Sequence, residues 1–242
     1  MKKKIFILFM AVIAFDSCDD GHVDEKQYID ESEKYNAVVS GVFDGIDTWS
    51  SEYNIVIAGF NEESEYAVIQ KTIPNASPSE TPMNIELSNI STECKTIEIC
   101  AVNALRAKIV SFYTFNIPDT QRSDDIIRID AGKIDVRMYS AINSAVFNDD
   151  FFSCSRCHGG SQPTANLDLS SENSYANLVG VQSTCNPDAK RVVPGDADNS
   201  VLYQAITNGA GIRYSHPSLF SEDKRARMVS FVKAWIDNGA TE

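Results

Sequence analysis

In the stretch FFSCSRCHGG, residues 151–160, two cysteines are separated by two residues and the second is followed at once by a histidine. On one helical turn this spacing puts the thiols of Cys154 and Cys157 on a common face, with His158 projecting past them. Thiols so placed can each form a thioether with a vinyl group of a haem while the imidazole rises onto the iron. The run predicts covalent attachment of one haem c through Cys154, Cys157 and His158. Plainer chemistries use the same residues. A Cys154–Cys157 disulfide needs nothing more, whereas zinc wants four ligands and only distant cysteines complete the set. A redox dithiol usually sits at the end of a βαβ strand, and no such unit is written around residue 154.

The compartment bears on this choice, because haem is attached to thiols outside the cytoplasm. The chain opens MKKKIFILFMAVIAFDSC, three lysines ahead of an apolar run from Ile5 to Phe15. That run is too short to span a bilayer and has the build of an export signal. The end of it, AFDSC, resembles the lipobox of bacterial lipoproteins, although Asp16 departs from the strictest form. The resemblance implies removal of residues 1–17 and lipidation of Cys18. Residues 18–34, DDGHVDEKQYIDESEK after the cysteine, are acidic and poor in core formers, as a solvated tether is. Such an acidic run resembles a surface-sorting signal of some Gram-negative lipoproteins, whereas Asp19 alone would elsewhere mean inner-membrane retention. The expectation is an exported chain, lipid-anchored to the bacterial cell envelope through Cys18, with the outer membrane favoured.

Charge narrows the partners. The 242 residues carry a formal net charge of −13, which argues against nucleic acid because the phosphate term would be repulsive. A redox partner protein with a basic docking patch suits it better. Apolar residues make up 43% and aromatic residues 10%, enough for a real core. With Cys18 lipidated, five cysteines remain, an odd number, so at least one of Cys94, Cys100, Cys154, Cys157 and Cys185 is unpaired. In one extended strand Cys94 and Cys100 lie about 20 Å apart, too far to bond without a turn between them.

Two hydrophobic periods run along the chain. Between residues 35 and 118, NAVVSGVF, YNIVIAGF, YAVIQKTI, NIELSNI, TIEICAVN and KIVSFYTFNI are short, β-branched and separated by turn-rich segments. This spacing predicts an all-β sandwich of immunoglobulin or fibronectin type III character, and IELSNISTECKTIEICAVN resembles the later strands of the latter. Residues 119–134 read as a linker with one further strand, IIRIDAG. From 135 to 242 the period is helical. DVRMYSAINSAVFNDD leads into the cysteine run, a second helix spans about residues 199–208, and the last carries Met228, Val229, Val232, Trp235 and Ile236 as its buried stripe. The fold class expected is therefore two-domain, an all-β sandwich followed by an all-α haem domain. So small a helical domain is expected to lack a core, and to be largely unfolded, without its haem.

From about Asp135 to Ala240 the chain resembles the small c-type cytochrome domains fused to bacterial lipoproteins. The residues that carry the resemblance are CSRCHGG, ANLDLSSENSYANLV, RVVPGDADNSVLYQAI and VKAWIDNGA. It implies a few helices packed around one haem, and electron transfer as the activity. Many such domains take their sixth iron ligand from a Met-Pro pair before the final helix; here RYSHPSLFS puts His216-Pro217 in that place. His158 and His216 are then the metal ligands, with Met228, Met138 and His22 the other candidates. Imidazole in place of thioether lowers the potential. Arg191 and Arg213 are candidates for pairing with propionates. Electron transfer is the leading function; the alternative is a haem sensor or peroxidase-like enzyme in which His216 is displaceable. A third reading makes the sandwich an adhesion or glycan-docking module.

Overall fold

The computed structural model describes residues 34–242 apart from 63, 77, 79, 122–124, 150–152, 171, 209–211 and 213. The export segment, Cys18, the acidic tether with His22, and Arg213 lie outside the described residues. Among those described, the β-branched segments form β1 (Lys34–Asp44), β2 (Tyr53–Phe60), β3 (Ile69–Thr72), β4 (Met83–Ser91), β5 (Thr96–Asn103), β6 (Lys108–Asn116) and β7 (Ile126–Asp135). One sheet has the order β4-β1-β7 and the other β3-β2-β5-β6. β1 runs antiparallel to β4 but parallel to β7, with Val39 opposite Ile129. The second sheet is antiparallel throughout, Tyr53 facing Asn103 and Phe60 facing Thr96.

The two sheets close on one apolar interior. Val39 and Phe43 of β1, Ile85 and Leu87 of β4, and Ile127 and Ile129 of β7 meet Ile55, Ile57, Ile97 and Ile99 of the second sheet. Each such side chain contributes about 1.5–3 kcal/mol on burial. β2 is apolar on both faces, because Val56, Ala58 and Phe60 join Ala67, Cys100 and Val102 in a separate cluster on its other side. Cys94 packs in the interior cluster and Cys100 in the outer one. Both are buried free thiols, and burial pushes the Cys100 thiol up to about 12.

After β7 come α1 (Met138–Ile142), α2 (Ser174–Leu178), α3 (Val201–Thr207) and α4 (Glu222–Asp237). Only α4 exceeds two turns. Glu222 and Asp223 stand at its positive end, it buries Met228, Phe231, Val232, Trp235 and Ile236, and it stops before Gly239 at φ +97°. Between the helices, turns and short 3-10 segments carry the chain.

The expected fold class requires correction. The architecture is rich in β-sheet with few, short helices, and the chain after residue 135 is not an all-α cytochrome-like domain. Residues 32–242 are instead one compact unit. The physical reason lies in Trp49. Gly45, at φ +92°, turns the chain where any Cβ would strike Arg137 at 2.1 Å. The 3-10 turn Ile46–Thr48 follows and delivers Trp49. Its indole N–H donates to the Val136 carbonyl at 2.5 Å, and its ring lies 5.6 Å from Phe231 of α4, tilted by 16°. Tyr53 and Phe112, both from the second sheet, meet the same indole edge-on. The core beneath the helices, built on Tyr139, Phe147, Phe231 and Trp235, thus includes Tyr53 of β2 and needs no separate filling.

Candidate functional site

Ser153–His158 makes a single tight turn. The amides of Cys157 and His158 both donate to the Cys154 carbonyl, at 3.2 and 3.0 Å, so both cysteines and the histidine leave one turn of backbone. The Cys154 thiol points inward and donates to the Val146 carbonyl at 3.4 Å, and burial pushes it up to about 11. Cys157 is exposed, and neither thiol is in a disulfide. The disulfide alternative is not what the described residues adopt.

Two backbone bonds fix the loop that follows. Thr164 N–H donates to the Cys157 carbonyl at 2.9 Å, and Leu169 N–H donates to that of His158 at 2.6 Å. Leu169 in turn gives its carbonyl to Asn148, which is bonded to Asn143; Asn143 and Tyr139 both donate to the buried Ser174 hydroxyl. A buried polar network of this kind, with its members satisfied, holds the backbone beneath His158.

His158 Nδ1 lies 2.9 Å from the Thr164 carbonyl, and His216 Nδ1 lies 3.2 Å from the Tyr214 carbonyl. A carbonyl can only accept, so Nδ1 is the donor in each ring, which leaves Nε2 as the nitrogen that would face a metal. Such a bond to Nδ1 is the usual outer support of a ligating histidine. Burial holds His158 below the ordinary histidine range, against the Thr164 carbonyl, with His216 and Arg191 pushing the same way as burial. The neutral form that ligation requires is thereby favoured.

His216 begins the 3-10 turn His216–Leu219, in which Pro217 fixes the second residue. The turn brings it to His158 across 58 positions of sequence, with ring centroids 6.0 Å apart and planes within 19°. The two rings are stacked at that separation, a distance that two metal–nitrogen bonds of about 2.0–2.1 Å could span if the Nε2 atoms faced one another.

Among the described residues no group of three or more His, Cys, Asp or Glu is disposed to hold a metal ion. A zinc site has no ligand set here. A haem brings four nitrogens of its own and asks the protein for two, which is what the pair offers. A separate groove of about 290 Å³, lined by neither histidine and neither cysteine, is formed by Ile109, Ala145, Val146, Phe220, Met228 and Phe231, with Asp149, Lys224 and Arg227 at its polar side. The two imidazoles are the residues that would hold such a group.

Of the other candidates, Met138 is fully buried in the core and Met228 is on the buried face of α4. Arg191 is buried, with its guanidinium on the carbonyls of Asn177 (2.8 Å), Ala165 (3.0 Å) and Asn166 (3.0 Å). Sequence reasoning missed Thr164 and Tyr214, which act through their carbonyls and leave no mark in residue type.

Comparison with family models, curated proteins and solved structures returned no match. The resemblance of residues 135–240 to single-haem c-type cytochrome domains behind an immunoglobulin- or fibronectin-like module is accordingly not upheld. Sheets dominate the architecture, the helices are short, and no three-ligand metal group is present among the described residues. Of the segments that suggested it, CSRCHGG lies on a turn, while the other three run through α2, α3 and the end of α4, short helices of a β-rich unit.

Proposed function

We propose that this chain is an electron carrier holding one haem covalently, with Cys154 and Cys157 as the attachment thiols and His158 and His216 as the residues that would ligate its iron. The observation that carries the reading is the near-parallel imidazole pair, 6.0 Å between centres, with both Nδ1 atoms committed to carbonyls. The haem, when bound, supplies a one-electron ferric/ferrous couple. The protein's part would be to hold both imidazoles in place through their Nδ1 bonds, with burial favouring the neutral form of His158. Two imidazoles on one iron leave no open position, which favours electron transfer over a sensor or peroxidase.

The N-terminal sequence extends the proposal. Export and a lipid on Cys18 anchor the carrier to the bacterial envelope, and its net charge of −13 suits a redox partner with a basic patch. A Cys18→Ser chain is expected to partition into the soluble fraction; unchanged membrane association sinks the anchor.

The haem reading is tested by producing the full chain with a working haem-maturation system. Expected are haem that survives denaturing electrophoresis, its loss in Cys154→Ser/Cys157→Ser, and a low-spin six-coordinate spectrum indifferent to carbon monoxide. A wild-type chain without covalent haem overturns the reading. Rapid carbon monoxide binding and peroxide turnover in the wild type would transfer it to the sensor or peroxidase class.

A further inference from the structure

We propose that Arg191 is the positioning residue of His158, acting through the backbone turn that presents the Thr164 carbonyl to the imidazole. The inference rests on His158 being a ligand, but its structural basis is separate from the haem.

The turn is one the chain does not adopt readily. Ala165 has φ +58° and ψ +24°, and Asn166 has φ +49°, two successive left-handed residues of which neither is glycine. Asn tolerates this region; alanine rarely enters it. Strain of this kind persists only where surrounding contacts overdetermine the backbone. Here they come from one side chain above all. Arg191 Nη2 donates to the carbonyls of both left-handed residues, each at 3.0 Å, and Nη1 ties them to Asn177 at 2.8 Å. Thr184 Oγ1 adds a bond to the Ala165 carbonyl at 2.8 Å. The residue just before, Thr164, is the one whose carbonyl meets His158 Nδ1.

Arg191 is itself well placed to serve as a strut. Its amide donates to the Val181 carbonyl at 2.7 Å and its carbonyl accepts from Leu202 at 2.9 Å, so the guanidinium extends from a fixed backbone. Only 7% of the residue is exposed, and among the described residues no carboxylate forms an ion pair with it. A buried cation costs stability unless its donors are used. Three carbonyls on two segments use them in a planar fork, a geometry that a lysine ammonium does not reproduce.

The support has a chemical consequence at the imidazole. A firm Nδ1–H bond raises the donor strength of Nε2 and selects it as the ligating nitrogen. A stronger donor stabilises ferric iron and lowers the potential. Loosening the turn weakens the bond, raises the potential and lets the Nδ1 proton exchange.

The experiment uses the full chain with ¹⁵N-labelled histidine. Wild type is compared with Arg191→Lys, Arg191→Gln and, as a milder change at an exposed residue, Thr184→Val. Expected is slow exchange of the His158 Nδ1 proton in wild type, about tenfold faster exchange in both Arg191 variants, and a smaller change in Thr184→Val. In the haem-loaded protein the midpoint potential should rise in the same order at unchanged haem content. Unchanged exchange and potential in folded Arg191 variants overturn the proposal. So does an Arg191→Lys chain that fails to fold, because the residue would then be structural only. If wild type carries no haem, the function proposed above fails by itself, and the exchange comparison on the haem-free chain still decides the role of Arg191.

Discussion

At the scale of single residues the site is a matter of which nitrogen is spent and which is free. His158 and His216 each give Nδ1 to a carbonyl within two to six positions of themselves, so under the proposed function a change of either ring would act on the haem iron and on little else. His216→Met should retain six-coordinate haem and raise the midpoint potential, because thioether favours ferrous iron relative to imidazole. His216→Ala should open the position, giving high-spin haem that binds carbon monoxide quickly. A spectrum indifferent to His216→Ala removes it from the iron. Cys154, Cys157, His158 and His216 could be singled out in the sequence as candidates, because ligation depends on side-chain type. Thr164, Tyr214 and the true partners of Arg191 were not. Their contacts are made to backbone carbonyls, which every residue has, and Arg191 reaches 26 positions back to find one of them.

At the scale of elements, the joint between β7 and α1 sets where the helices begin. Asp135 ends the strand and accepts from the Arg137 amide at 2.9 Å, the Arg137 guanidinium at 2.7 Å and the Ser140 hydroxyl at 2.7 Å. Burial alone would push its carboxyl up, but these bonds more than reverse that and hold it below the usual carboxylate range. Since the folded value is depressed, the unfolded chain binds the proton more readily. The joint's contribution is present above about pH 4 and lost as the pH falls through the lower, folded value. Asp135→Asn should remove that part of the acid dependence, seen as a flatter stability profile in denaturant melts between about pH 5 and pH 3. An identical profile means that Asp135 plays no such part. Strand segments such as YNIVIAGF and TIEICAVN coincide with β2 and β5, because alternation and β-branching are local properties. The helix read over DVRMYSAINSAVFNDD does not run through. It becomes a wider π turn over Asn143–Phe147, where the Asn148 amide and side chain both take the Asn143 carbonyl. Apolar spacing shows which face is buried, but not that asparagine side chains will compete for the backbone.

At the scale of the whole molecule, what was least legible is that sheets and helices share one unit. Trp49 reads in the sequence as part of the turn-rich stretch DGIDTWSS, and only the fold shows it between Tyr53, Phe112 and Phe231. This aromatic joint outweighs the ionic one. Arg227 and Glu65 also connect α4 to the loop after β2, but both side chains are more than half exposed and such pairs contribute about 0–1 kcal/mol. Truncating a large aromatic against its neighbours costs about 3–5 kcal/mol, a large share of a domain's margin. Because the helical core is continuous with β2, it does not depend on haem for its filling. The haem-free Cys154→Ser/Cys157→Ser chain is therefore expected to unfold in one cooperative transition, with sheet and aromatic circular dichroism lost together. Trp49→Ala, in the same background, should lower the midpoint and separate the two signals as the helices detach from the sheet. If the haem-free parent already melts in two steps, or has no aromatic signal to lose, the helices rely on the cofactor after all and the joint at Trp49 is secondary.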